Sequence, residues 1–466
     1  MLIPADYKNK HIAVFGLGRT GQTAVAALKA AGADVYAWDD QPTNHASAAD
    51  VLHDLYALDF DVLDALLLAP GVPLTHPEPH ALVKKAKKFG VPIMGDFDLF
   101  HGVEPYLPAH KTVAITGTNG KSTTTALIAH MIKSAGLPVV MGGNIGRGVM
   151  SLEPLTAGGV YIFEMSSYQI DLTHKFAPDV AVLLNITPDH LDRHGGMAGY
   201  IQAKARLFEL LKLDGTAIIS ADDAYCQGVY ESLRENKRHQ STTIRAITAD
   251  QPLSADGSCA ADGSLDYQVD GMRHTAGSIT GYPALKGSHN WQNMAAAFEV
   301  GMALGLSKEA ILKSFETFPG LEHRQEIVAM IGGVTFVNDS KATNNEAAAK
   351  ALSSFENIHW IAGGRGKGDD YHALMPALGH VKQAYFIGEA GPAMMAGLGD
   401  TVSSSLHTTM VDAFTAAVQA VSAGDTVLLS PACSAFDQFA DFEQRGTVFK
   451  ESVALYKTSL QKGQPS

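Results

Sequence analysis

Short apolar runs that stop at glycine or at a polar pair recur along this chain, with helix-spaced stretches between them. HIAVFG, from His11, is such a run; AVAALKAAG has helical spacing and closes on Gly32; DVYAWDD ends on two aspartates; DALLLAPGVP repeats the strand-then-glycine pattern. Strands alternating with helices predict βαβ units on a parallel sheet. HGVEPYLPAHK has two prolines and no periodicity, and reads as a linker. Beyond it, KTVAITG predicts a strand and STTTALIAHMIKSAG a helix, and GVYIFEMSS and DVAVLLNIT predict further strands. Each ends in polar residues, which suits sites at the carboxyl ends of parallel strands. Ser241 to Ser278 is rich in Gly, Ser, Asp and Thr and reads as a small antiparallel excursion; Trp291 to Leu306 reads as a long apolar helix. From Gly320, GVTFVND, IHWIAGG, AYFIG and TVLLSP predict four strands, separated by helical stretches such as NNEAAAKALSSF. The expectation is an α/β chain of three domains, 1–110, 111–320 and 321–466.

Composition narrows the function. The chain has 466 residues, room for roughly three domains. Lys+Arg is 35 and Asp+Glu 48, so the formal net charge is −13. That argues against a non-specific nucleic-acid binder, which needs a basic face, but not against a local phosphate site. Cys226, Cys259 and Cys433 are the three cysteines; they form neither a disulfide framework nor metal-ligand spacing, and read as buried thiols in a reducing cytosol. Met1 to Lys10 has no apolar signal-peptide core, and no apolar run is long enough to span a bilayer. A cytoplasmic protein without membrane insertion is expected.

Two glycine loops carry the candidate chemistry. Gly16-Leu17-Gly18-Arg19-Thr20-Gly21 matches GxGxxG between a strand and a helix, with Asp39 near the end of the next strand. Such a loop brings backbone N–H groups close to a pyrophosphate at a helix N-terminus. It does not choose between a nicotinamide dinucleotide and a UDP-linked ligand. The second loop, Gly117-Thr118-Asn119-Gly120-Lys121-Ser122-Thr123, also joins a strand to a helix. It resembles a P-loop: successive N–H groups cradle phosphate, Lys121 reaches the β/γ-phosphates and Ser122 can ligate Mg²⁺. Its G-x-x-G-K-S spacing departs from the Walker form.

TGTNGKSTT resembles the ATP loop of the Mur ligase family, the ATP-dependent amide ligases of peptidoglycan precursor synthesis. GGNIG (Gly142 to Gly146), EMSSYQ (Glu164 to Gln169), NITPDHLDRH (Asn185 to His194), KARLF (Lys204 to Phe208) and GSHNWQN (Gly287 to Asn293) are similar to the family's central motifs. LEHRQE (Leu321 to Glu326), NDSKATN (Asn338 to Asn344), GGRGKGDD (Gly363 to Asp370) and SPACSAFDQFADFEQRG (Ser430 to Gly446) are similar to its C-terminal motifs. The resemblance runs in order through all three blocks. It implies a Rossmann-like UDP-substrate domain, a P-loop ATPase-like ATP domain, and a Rossmann-like C-terminal domain closing on ATP and amino acid. NDSKATN and the last stretch are most similar to members that add D-glutamate to a UDP-linked muramoyl-alanine; a sibling ligase with another amino acid is the alternative.

The resemblance also implies roles, each beside a plainer reading. Glu164 at a strand end is a solvated carboxylate or, beside a P-loop, a Mg²⁺ ligand; the resemblance implies the metal. His190 and Lys204 read by themselves as a structural histidine and a solvated lysine. The family implies that His190 helps hold a second Mg²⁺ and that Lys204 carries a carbamate that also ligates it. With Lys121 these are the implied catalytic residues. Asn293 is implied at the adenine and Asn144 at a substrate phosphate. Arg324, Asp339 and Lys341 are implied at ATP, and Thr343, Lys367, Ser434 and Phe442 at the D-glutamate carboxylates. Gly18, Arg19, Thr20, Gly21, Asp39 and Gly71 are implied at the UDP end. Three positions depart from the family pattern: Ser434-Ala435 has the hydroxyl displaced by one residue, Ala69-Pro70-Gly71 stands where Ser-Pro-Gly is usual, and an arginine near Gln41 is missing. The implied partners are small molecules only, for a monomer. A dehydrogenase using the first loop alone leaves the second loop and NDSKATN unexplained. A non-catalytic nucleotide-binding regulator is the remaining class.

Overall fold

The computed structural model describes residues 1–249, 252, 255–285, 287, 289–366 and 371–462, with the side chains of 283, 289, 461 and 462 outside the description. The chain divides into two compact units, Met1–Phe318 and Pro319–Ser466.

The first unit holds two sheets. The smaller consists of β1 (His11–Phe15), β2 (Asp34–Trp38), β3 (Ala65–Leu68) and β4 (Ile93–Met94), in the order β2-β1-β3-β4, all parallel. Its helices are α1 (Arg19–Ala31), α2 (Ala81–Phe89) and α3 (Asp96–His101). β3 is buried along its whole length, as an all-apolar parallel strand covered on both faces should be. α1 buries Ala24, Val25, Ala27 and Leu28 and stops at Gly32, whose left-handed φ of 79° lets its N–H close on the Leu28 and Lys29 carbonyls.

The larger sheet has nine strands: β5 (His110–Thr116), β6 (Val139–Gly143), β7 (Gly159–Glu164), β8 (Val180–Leu183), β9 (Thr216–Ser220), β10 (Thr243–Ala249), β11 (Gly257–Ala261), β12 (Ser264–Val269) and β13 (Met272–Ser278). Their order is β13-β12-β11-β10-β9-β8-β5-β7-β6. Its helices are α4 (Lys121–Ser134), α5 (Ser167–Leu172), α6 (Leu191–His194), α7 (Met197–Leu210), α8 (Ala224–Glu235), α9 (His289–Ala303) and α10 (Lys308–Glu316). The stretch expected as a small antiparallel excursion, Ser241 to Ser278, is part of this sheet. β10 and β11 extend it in parallel; β12 pairs antiparallel with β11, and β13 antiparallel with β12. The polar composition of this stretch hid the few apolar positions, Ala246, Ile247, Cys259, Ala260 and Leu265, that bury against the sheet's helices.

The expected linker is more ordered than its prolines suggest. α3 reaches His101, Val103 is buried, and β5 already begins at His110. The reason is aromatic packing. Phe97 and Phe100 of α3 meet Phe163 of β7 with ring centroids 5.2 and 4.9 Å apart. One hydrophobic core thereby runs from Ile12 and Val14 through α3 to Tyr161 and Phe163.

The second unit is a six-stranded sheet of β14 (Glu326–Ile331), β15 (Val334–Asn338), β16 (Ile358–Gly363), β17 (Val381–Ile387), β18 (Ser404–Leu406) and β19 (Thr426–Leu429), in the order β14-β15-β19-β16-β17-β18. α11 (Asn345–Leu352), α12 (Gly391–Leu398), α13 (Met410–Ala420) and α14 (Phe442–Lys462) pack on it. All pairs are parallel except β14 with β15. The two edge strands, β14 and β18, are half-exposed and escape an apolar-run reading. Among the described residues no helix is long and apolar enough to cross a membrane.

Candidate active site

Each sheet carries its candidate residues at the carboxyl ends of its strands, beside the point where strand order reverses. In the small sheet that point lies between β1 and β3. A Cβ on Gly16 would come within 2.6 Å of Ala69 Cβ, so the two loops touch. Gly18 caps α1 and has open space where a side chain would be, whereas a Cβ on Gly21 would sit 1.9 Å from the Gly16 carbonyl oxygen. Asp39 stabilises the loop. Its carboxylate accepts the Leu17 N–H at 2.6 Å, the Gln41 N–H at 2.7 Å and the Asn44 amide at 3.1 Å. Burial raises its pKa, but these donors outweigh burial and leave it below the usual carboxylate range. Arg19 donates to the Gly146 carbonyl at 2.8 Å, which ties this loop to the segment that follows β6. Thr20 lies in the first turn of α1.

In the large sheet the reversal lies between β5 and β8. The loop from Gly117 to Gly120 is pinned there: the Thr118 N–H donates to Asn185 O at 2.9 Å, and the Asn119 N–H to Asn185 Oδ1 at 2.8 Å. Gly120 has a φ of 83°, and a Cβ there would meet Asn293 Oδ1 at 2.5 Å. Asn293 itself accepts the Thr124 hydroxyl at 3.1 Å. Lys121 curls over its own loop and donates to the Gly117 and Thr118 carbonyls at 2.9 and 2.8 Å. Ser122 and Thr123 are half-buried in the first turn of α4.

Lys204, on α7, also donates to the Gly117 carbonyl, at 2.8 Å. It is 2% exposed and lies 4.6 Å from the centre of the Tyr200 ring. Burial, together with the charge of Lys121, pushes its amine down to about 7. Two lysines far apart in sequence therefore converge on one carbonyl of the phosphate-type loop.

Glu164 ends β7 and pairs in register with Ile115 of β5. One carboxylate oxygen accepts the Asn144 amide at 2.7 Å; the other is buried without a hydrogen-bond partner. A buried carboxylate oxygen left without a hydrogen-bond partner suits a hard divalent cation such as Mg²⁺. Among the described residues no group of three or more His, Cys, Asp or Glu side chains is placed to hold a metal ion. His190 precedes α6 with a left-handed φ of 51°, half-exposed, its Nε2 3.4 Å from Asp189 Oδ2. Arg193 donates to the Gly71 carbonyl at 3.0 Å.

In the second unit, Asp339 follows β15, 4% exposed, accepting the Ser430 hydroxyl at 2.8 Å and the Gln325 N–H at 3.1 Å. Burial raises its pKa to about 7. Arg324 is half-buried in the turn before β14, and its charge opposes that rise. Lys341 sits 3.8 Å from the centre of the Phe442 ring. The Thr343 N–H donates to Lys341 O at 2.9 Å. Ser434 forms a two-residue bridge with Arg365, and both its N–H and its hydroxyl donate to Arg365 O, at 3.1 and 2.9 Å. Lys367 lies outside the described residues.

The family model described as "Mur ligase middle domain" matches residues 115–301, and that described as "Mur ligase, glutamate ligase domain" matches residues 323–433. The chain belongs to the Mur ligase family. Curated relatives agree over nearly their whole length. The chain is 47% identical to the UDP-N-acetylmuramoylalanine--D-glutamate ligase of Caulobacter vibrioides (strain NA1000 / CB15N), over 97% of both chains. It is 46% identical to the ligase of that name from Chelativorans sp. (strain BNC1), again over 97% of both. Among solved structures, the UDP-N-acetylmuramate-alanine ligase of Thermotoga maritima covers 97% of this chain and 99% of its own, with a TM-score of 0.57 at 18% identity, a likeness of fold.

Several residues inside or beside the quoted motifs hold loops through contacts that nothing in the sequence marks. Tyr200 shares a hydrogen bond with Thr118 (3.1 Å) and Asn185 holds the loop from β8. Buried Arg445 donates to the Ser340, Cys433 and Gly363 carbonyls, joining the loops after β15 and β19 to the end of β16. Tyr168, Ser167 and Asp171 sit within or just after EMSSYQ, but nothing in their spacing marks contacts with His190, Arg193 and His194.

Proposed function

We propose that this chain is an ATP-dependent ligase that joins D-glutamate to UDP-N-acetylmuramoyl-L-alanine during peptidoglycan precursor synthesis. The observation that carries the reading is identity of 47% over 97% of both chains with a ligase of that name. The reaction needs activation because a free carboxylate is a poor electrophile. A carboxylate oxygen of the UDP-linked substrate attacks the γ-phosphorus of ATP and ADP leaves. The D-glutamate amine then attacks the acyl phosphate, loses a proton, and phosphate leaves with the C–O bond electrons. Positioning and charge neutralisation dominate such chemistry.

Gly117 to Thr123 bind the triphosphate of ATP, with Lys121 bridging to its terminal phosphates and Asn293 beside the base. Arg324, Asp339 and Lys341 are the second unit's contribution to ATP. Gly18, Arg19, Thr20, Gly21, Asp39, Gly71 and Asn144 serve the UDP-linked substrate. For Asp39 the support is indirect: its carboxylate shapes the loop through Leu17. Thr343, Lys367, Ser434 and Phe442 serve D-glutamate. The Ser434 hydroxyl already donates to Arg365 O, so its part there is as an acceptor or through the shape of the bridge. Ser122, Glu164, His190 and carbamylated Lys204 would hold Mg²⁺, two ions in all; bound Mg²⁺ neutralises phosphate oxygens. The open Glu164 oxygen and the lowered Lys204 amine support this set. The enzyme acts as a monomer in the bacterial cytoplasm.

The test is ADP release by purified protein with Mg·ATP and UDP-N-acetylmuramoyl-L-alanine against a panel of amino acids. Release with D-glutamate alone, with the product mass confirmed, is expected. Release only with another amino acid would move the chain to a sibling specificity.

A further inference from the structure

α5 opens on a capping box in which Ser166 and Gln169 satisfy each other's backbone N–H groups. Its next residue, Ser167, faces α6. Ser167 Oγ lies 2.9 Å from His194 Nε2, and His194 Nδ1 lies 3.4 Å from Asp171 Oδ2. Serine, imidazole and carboxylate in line is the arrangement of a nucleophilic triad. Burial argues for another use here. Ser167 and His194 are 3% and 7% exposed, which leaves no room for a substrate carbonyl at the hydroxyl. What the chain of contacts does determine is the plane of the His194 ring.

Tyr168 lies flat on that ring, with centroids 5.3 Å apart and planes within 10°. The Tyr168 ring has two further neighbours. His190 is 5.2 Å away, and the Arg193 guanidinium is 4.7 Å from its centre. Arg193 reaches on to the Gly71 carbonyl after β3. One half-buried ring thus touches both the half-exposed histidine and the arginine that leads to the first sheet. A half-exposed side chain samples several rotamers unless a neighbour restricts it, and small misplacements of reacting groups are costly.

We propose that Tyr168 is a positioning residue for ligation: its ring, held by the chain from half-buried Asp171 through His194 to Ser167, orients His190 and Arg193 for the reaction. This rests on the function proposed above. The ring does the work, so Tyr168→Phe keeps it and Tyr168→Leu removes it.

The test combines kinetics with ¹⁵N spectra of the histidine rings, recorded on the full chain without nucleotide. Y168L is expected to lower kcat by about 10–100-fold with KM for ATP within about two-fold. Y168F is expected to recover most of that loss. The His190 ring signals shift in Y168L and in His194→Ala but stay in place in Y168F, and His194 reports one neutral tautomer with its proton on Nδ1. Unchanged kcat and unchanged His190 signals in Y168L would overturn the proposal. If Y168L does not fold, His194→Ala carries the same readout, and His190 signals identical to wild type there would overturn it too. A wild-type protein that forms no ADP with any amino acid would overturn the functional reading alone; the spectra would still decide the coupling.

Discussion

Lys204 is a lysine in a place where an ammonium is poorly solvated. Burial and the neighbouring Lys121 lower its amine to about 7. The neutral amine is the form whose lone pair attacks CO₂, with an N–H proton released to solvent. With ¹³C-bicarbonate, a carbamate carbon signal is therefore expected above about pH 7, to fade as pH falls through that value and to be absent in Lys204→Ala. A spectrum identical in wild type and variant would refute the carbamate. Losing one charge-stabilising group commonly costs about 100-fold or more in kcat, the drop expected for K204A. Asp96 is the opposite case. Burial raises its carboxyl to about 7, against its own helix-start N–H groups and Gln169, and one oxygen has no hydrogen-bond partner. The folded state thus holds a proton that the unfolded chain releases near its ordinary value of 3.8. Stability conferred by that proton is present at low pH and lost as pH rises from about 4 to about 7. Asp96→Asn should remove this slope. It should be more stable than wild type at pH 8, by up to roughly 4 kcal/mol, and little different at pH 4. Urea midpoints across that range are the measurement.

Among the connecting elements, two glycines of the first loop have different duties. Gly21 packs α1 against the loop so closely that a Cβ would meet a backbone oxygen at 1.9 Å, while Gly18 faces open space. Gly21→Ala should lose about 3 kcal/mol or more, or fail to fold. Gly18→Ala should keep the thermal midpoint and weaken binding of the UDP-linked substrate, because there the backbone must approach a diphosphate. Calorimetry on both proteins separates packing from binding. Equal midpoints would show that the α1 junction can yield.

For the whole molecule, the division at Phe318 and Pro319 separates two units, each with its own core. Fragments 1–318 and 319–466 should each unfold cooperatively when expressed alone, as independent cores allow. Neither should ligate, since the proposed ATP contacts come from both. Circular dichroism and ADP release check the two halves of this expectation. Within the first unit the aromatic set around Phe97, Phe100 and Phe163 joins two sheets, so cleaving near Pro108 should unfold rather than liberate the small sheet.

Features that a few consecutive residues specify can be read from the order of amino acids. The strand–glycine–helix turns at Gly16 and Gly117, the end of α1 at Gly32 and the buried strands Ala65–Leu68 and Ile358–Gly363 were legible because local backbone geometry and burial on both faces leave a direct mark on composition. The order of motifs was equally legible and carried the family. What distant residues do together depends on how the elements pack. Lys204 and Lys121 meet at Gly117 O because α7 packs across β5, and β19, the last strand among the described residues, sits between β15 and β16. Asp39 reaches back from the end of β2 to accept the Leu17 N–H, a contact that no local pattern marks. Polar strands such as β12 and β13 are strands because hydrogen-bonded neighbours complete them, not because their residues favour it. Side-chain contacts across a fold depend on packing between elements, and no local pattern encodes which partner each element will find.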